Sequence, residues 1–118
     1  MLNVNAGVDW QPLDSAEVLE KLIQDSFHKP QIIFKHSISC PTSAMAKSRL
    51  DRSCVIEQAD YYLLDLWNYR DMSNLVAHKF GVEHQSPQIL IISAGKCVYN
   101  ESHYGITQER IQAEVAAI

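Results

Sequence analysis

A cysteine followed at once by proline, and three residues later by serine, stands at Cys40-Pro41-Thr42-Ser43. Cysteine does its chemistry as the thiolate, the nucleophilic form, which the positive end of a helix favours. Proline suits the first position of a helix, where the N–H it lacks would have no partner anyway. Pro41 in that position makes Cys40 the N-cap, whose side chain can accept from the backbone N–H groups of Thr42 and Ser43. Ser43 stands where a dithiol motif would carry its second sulfur. Its hydroxyl can donate to a thiolate but cannot form a disulfide, so an adduct on Cys40 would wait for an outside thiol. Burial as an inert packing residue is the commonest fate of a free cysteine. The order strand, cysteine, proline, helix sets Cys40 apart from that fate.

Those elements are legible on both sides of the motif. Gln31–Lys35 is short, apolar and β-branched, and reads as a buried strand leading into the cysteine. A helix runs from Cys40-Pro41 to about Arg52, with Ala44, Met45, Ala46 and Leu50 as its apolar content. Upstream, Asp14 caps a helix whose stripe is Ala16, Leu19, Leu22, Ile23 and Phe27, and Lys29-Pro30 ends it. Downstream come a strand at Tyr61–Leu66 and a helix carrying Met72, Leu75, Val76 and Phe80, closed by a left-handed Gly81. Gln88–Ile92 is the strongest strand. A tight turn at Ser93–Lys96 returns Cys97–Asn100 antiparallel to it, and Thr107 caps a last helix with Ile111, Val115 and Ile118 inward. A short leading strand near Val8–Trp10 completes the order. The crossover between the first two main strands makes them parallel, which predicts an α/β fold: a mixed sheet of four to five strands with helices on both faces.

Other residues bear on the same chemistry. Ser86-Pro87 sits directly before the strongest strand and is a candidate cis bond. His36 precedes Cys40 by four residues and is placed to act as a nearby cation or proton donor. His36, His84 and His103 lack the paired spacings of structural zinc sites, so no metal is expected. Lys35 and Lys47 lend positive potential or simply solvate the surface, and Asp71 reads as a helix cap. A helix from Cys40 to Cys54 spans roughly 20 Å, too far for a disulfide. Cys97, in the hairpin, reads as a packing residue.

Composition bounds the rest. The 118 residues fit one domain, 1–118, and 47% hydrophobic content supplies its core. A formal charge of −4 disfavours nucleic acid, and Tyr61, Tyr62, Trp67 and Tyr69 read as core and rim aromatics. No apolar run is long enough to span a bilayer, and the first residues carry no secretory pattern. Three scattered cysteines make no disulfide framework. A cytoplasmic domain with reduced thiols is expected.

Taken together, Phe34-Lys-His-Ser37, Cys40-Pro41, Ser43, His84-Gln-Ser-Pro-Gln88 and His103-Tyr-Gly-Ile-Thr107 resemble the monothiol bacilliredoxin family, also labelled general stress proteins, within the thioredoxin superfamily. Ser39 and Thr42 depart mildly from that pattern, in which threonine and isoleucine are usual. The resemblance implies a thioredoxin-like fold, a cis bond before Pro87, and redox homeostasis through removal of the small thiol bacillithiol from protein mixed disulfides. Cys40 and Ser43 would be the catalytic pair, with His36, Pro41, Thr42, Ser86 and Pro87 around the bound thiol. Bacillithiol would be a co-substrate, with no cofactor bound, and the partners would be client proteins carrying mixed disulfides, the chain itself being a monomer or weak homodimer. Two other classes remain open: a module holding an iron–sulfur cluster through Cys40, and a redox-inert interaction domain.

Overall fold

Three runs rich in Ile, Leu, Tyr and Phe form the middle of one sheet, because each is covered on both faces. In the computed structural model, which describes residues 8–53 and 56–118, these are β2 (Gln31–His36), β3 (Asp60–Asp65) and β4 (Gln88–Ser93). β1 (Gln11–Pro12) and β5 (Lys96–Ser102) lie at the edges, giving the order β1-β3-β2-β4-β5. β2 runs parallel to β3, as the crossover through α2 requires, and antiparallel to β4, which the hairpin then joins antiparallel to β5. The leading strand falls at Gln11–Pro12, just past the expected position, and pairs with Tyr62 and Leu63.

Four helices cover the sheet: α1 (Ala16–Asp25), α2 (Pro41–Asp51), α3 (Arg70–Phe80) and α4 (Gln108–Ala116). Side chains alternate faces along a strand, and the core divides accordingly. Ile33, Tyr62, Leu64 and Leu90 pack with Leu19, Leu22, Met72 and Val76 of α1 and α3. Ile32, Phe34, Tyr61, Ile89 and Ile91 pack with Ala46, Leu50, Ile111 and Val115 of α2 and α4. The same parity sends Lys35 toward α3 and His36 toward α2.

The caps differ in detail from expectation. Ser15, not Asp14, caps α1: its Oγ accepts from the Val18 N–H at 3.2 Å. Tyr69 is the N-cap of α3, so Asp71 favours that helix by its charge in the first turn. Phe27 lies beyond the end of α1 and is 59% exposed, and Leu75 and Ile118 also reach solvent. Gly81 closes α3 with φ +65°, and Gly95 makes the β4–β5 turn with φ +79°. Both angles are left-handed and suit glycine. No helix among the described residues is long and apolar enough to cross a membrane.

Candidate active site

The end of β2 and the start of α2 place the cysteine. Pro41 is the first residue of α2, and Cys40, in extended conformation, is its N-cap. The Cys40 N–H donates to the Ser37 carbonyl at 3.2 Å, turning the chain off the sheet, and the Cys40 carbonyl accepts from Ala44 at 3.0 Å. The thiol is half-buried and free. Its sulfur makes no capping hydrogen bond to the first turn, so the expected contact with the Thr42 and Ser43 amides is not formed by the thiol. Thr42 is half-buried and Pro41 exposed.

Ser43 serves a different purpose from the one its spacing suggests. It is fully buried. Its Oγ accepts from the Ser37 N–H at 3.0 Å and lies 2.6 Å from His36 Nδ1. Whichever of hydroxyl and ring donates, the serine bridges β2 to α2 and is not turned to the Cys40 sulfur. His36 is itself buried, stacked on Phe34 with ring centroids 5.6 Å apart. Burial lowers its pKa, and Lys47 adds to the effect. The ring is therefore neutral near pH 7, which corrects its expected role as a cation beside the thiolate. Lys47 is itself paired with Asp51 at 2.7 Å.

The loop before β4 forms the facing wall. Ser86-Pro87 is cis, as expected, and Pro87 is buried. Gln88 Nε2 donates to the Glu83 carbonyl at 2.9 Å, closing residues 83–88 into a tight loop. The Pro87 carbonyl accepts from His103 N–H at 3.1 Å, tying the loop to the single helical turn His103–Gly105. A groove of about 480 Å³ runs between this loop and the turn that precedes the motif, bounded by Ser37 and Ser39 on one side and Ser86 on the other. Trp67, Arg70 and His84 complete its walls. Cys40 does not line it, nor do His36, Pro41, Thr42, Ser43 and Pro87; Ser39 is the lining residue next to the thiol in the chain.

No motif or spacing in the sequence marks the groove's far end. Lys35 is fully buried; its Nζ donates to the Ser73 carbonyl at 3.2 Å and lies 3.3 Å from His84 Nδ1. Ser73 Oγ is 2.9 Å from the same nitrogen. Loss of hydration lowers the Lys35 pKa from 10.5 to about 8. Burial lowers that of His84 too, with Lys35 and Arg70 adding to it. The signal was a lysine inside an otherwise apolar strand.

Of the other thiols, Cys97 lies on β5, half-buried, donating to the Tyr99 carbonyl at 3.2 Å. Burial pushes its pKa up, in keeping with a packing residue. Cys54 lies outside the described residues.

A family model described as monothiol bacilliredoxin BrxC matches residues 11–111. Among solved structures, a candidate oxidoreductase with a thioredoxin fold is 30% identical, with a TM-score of 0.77 over 87% of this chain and 90% of that one. Thioredoxin from Trypanosoma brucei brucei is 10% identical, with a TM-score of 0.74 over 92% and 89% of the two chains. Thioredoxin NaTrxh from Nicotiana alata is 17% identical, with a TM-score of 0.70 over 94% and 93%. The last two likenesses are of fold. The fold is thioredoxin-like.

Proposed function

The chain belongs to the monothiol bacilliredoxin family, thiol oxidoreductases on a thioredoxin fold, and we propose from that premise that Cys40 removes a low-molecular-weight thiol from protein mixed disulfides. The Cys40 thiolate attacks the small-thiol sulfur of a protein–S–S–R bond. That bond breaks, the client leaves as its thiolate and takes up a proton, and R stays on Cys40 as a new disulfide. A second RS⁻ then attacks the sulfur of R, forming RSSR and releasing Cys40 as thiolate. The net exchange turns the mixed disulfide and one free small thiol into the client thiol and RSSR, the incoming thiol's sulfur being oxidised as the client's is reduced. Bacillithiol is the proposed R–SH, and a reducing compartment such as the cytoplasm is the proposed setting.

One observation carries this reading: a half-buried free thiol at the N-cap of α2 has a serine, not a cysteine, one turn further on. Helix N-terminal charge and partial access are the conditions under which a thiol is reactive. Ser43 and His36 hold the β2–α2 corner that aims Cys40, and the Ser86-Pro87 loop presents the opposite wall to the adduct.

The test is intact-mass analysis after mixing the protein with a client carrying a bacillithiol mixed disulfide. The expected result is transfer of the adduct mass to Cys40 and recovery of the client thiol. Cys40→Ser should abolish transfer. Retained transfer in that variant, or an adduct mapped to another cysteine, refutes the assignment.

A further inference from the structure

A lysine in the middle of a buried strand needs a reason. Lys35 Nζ has a carbonyl and a histidine nitrogen as neighbours but no carboxylate. The ion pairs among the described residues are Lys21–Asp25, Lys29–Asp60, Lys47–Asp51 and Arg110–Glu114. Arg70, at the first position of α3, also lacks a carboxylate partner there. Both belong to one place: Arg70, Ser73 and His84 line the groove that begins at Ser37 and Ser39, and Lys35 lies directly behind Ser73 and His84. Not one Asp or Glu lines that groove, although the chain as a whole carries a formal charge of −4. Buried charge persists where something compensates it. Here no carboxylate among the described residues supplies that compensation.

We propose that the groove is a carboxylate subsite, taking the acid-bearing substituent of the small thiol whose sulfur reaches Cys40. The proposal rests on the Cys40 reading above and narrows its substrate class to thiols carrying at least one carboxylate. Arg70 offers a guanidinium fork, which matches carboxylate geometry. His84 has its Nδ1 engaged by Ser73 and Lys35, which leaves Nε2 for the ligand. Lys35 is a positioning residue: it orients the His84 ring and places a second positive charge behind it. The exposed ring of Trp67 gives the thiol's carbon skeleton an apolar wall. About 480 Å³ is within the range of small-molecule sites.

The test compares thiolation of Cys40 by glutathione disulfide and by its tetraethyl ester, which keeps the carbon skeleton and masks the carboxylates. The wild-type protein should react about tenfold faster with the free acid, as one good carboxylate contact implies. Arg70→Ala should bring the ratio close to one. Lys35→Met should raise KM for the free acid several-fold, with kcat within about twofold, in a protein whose circular dichroism matches wild type. Lys96→Ala, in the distant β4–β5 turn, should keep the full preference. Equal rates for acid and ester in the wild type, or a preference that survives Arg70→Ala, overturn the carboxylate subsite alone. No reaction of Cys40 with either disulfide also overturns the subsite, whereas no transfer from a client carrying a bacillithiol mixed disulfide overturns the function it rests on.

Discussion

Replacing Lys35 by methionine should make the protein more stable at neutral pH while weakening its groove. The side chain is fully buried, and loss of hydration takes its pKa from 10.5 to about 8. At about 1.4 kcal/mol for each tenfold change in proton affinity, keeping that amine charged costs the fold roughly 3 kcal/mol. Methionine fills nearly the same volume with no charge. It forfeits the bonds to the Ser73 carbonyl and His84 Nδ1, at about 1 kcal/mol each. The expected net gain is about 1–2 kcal/mol near pH 6.5. The sign must change with pH. The amine is protonated in both folded and unfolded chains below pH 8, so the full cost is present there. Between 8 and 10.5 the folded protein releases its proton before the unfolded chain does, and the cost fades with rising pH. By pH 10 it is under about 1 kcal/mol, and the lost hydrogen bonds leave the variant level with or behind wild type. Urea unfolding of both proteins at pH 6.5 and pH 10 measures this. Groups that titrate equally in the two proteins, such as Tyr62 and Tyr99, cancel in the difference. A variant less stable at pH 6.5, or a difference that does not move with pH, refutes the argument that Lys35 is an uncompensated charge.

Limited alkylation at pH 7 with peptide mapping should modify Cys40 well before Cys97, whose half-buried thiol is pushed up in pKa and donates to the Tyr99 carbonyl; the reverse order would remove Cys40 as nucleophile. Ser43→Cys should allow the introduced thiol to attack the Cys40 adduct, release the small thiol and leave an internal disulfide. Intact mass reads that outcome, and a wild-type protein that sheds its adduct with no added thiol would contradict the monothiol cycle. The same variant should lose about 1–3 kcal/mol in urea, because the hydroxyl that Ser37 N–H and His36 Nδ1 share is gone. On the acid side, His36 is held neutral by burial, its folded pKa lying below 6.5. Its contribution to stability is therefore complete above pH 6.5 and is lost as pH falls through that value. Urea unfolding of His36→Phe should show a shallower loss between pH 7.5 and 5 than wild type, and parallel curves would contradict a buried neutral ring.

The elements of this fold were readable because each is set by neighbours close in sequence. β-Branched runs made β2 and β4, proline at the first helical position made Cys40 an N-cap, glycines closed α3 and turned β4 into β5, and Ser-Pro marked the cis bond. These are effects of a few adjacent residues on backbone angles and hydrogen bonds, and they survive without a tertiary structure. Cap placement was less secure: Asp14 and Ser15 are both good N-caps, and the choice fell to Ser15 once α1 was seated on the sheet. The sequence also placed Ser43 one turn after Cys40, but spacing gives no side-chain direction. The strand parity that sends His36 toward α2 decided that the hydroxyl would be spent at the β2–α2 corner. Least legible was the groove. Lys35, Trp67, Arg70, Ser73, His84 and Ser86 come from β2, the β3–α3 connection, α3 and the loop before β4, and no period or motif links them. Lys35 read as one more surface lysine, because whether a charge is buried depends on what packs over it. That was decided when α3 closed over the sheet and drew Ser73 and His84 onto the amine.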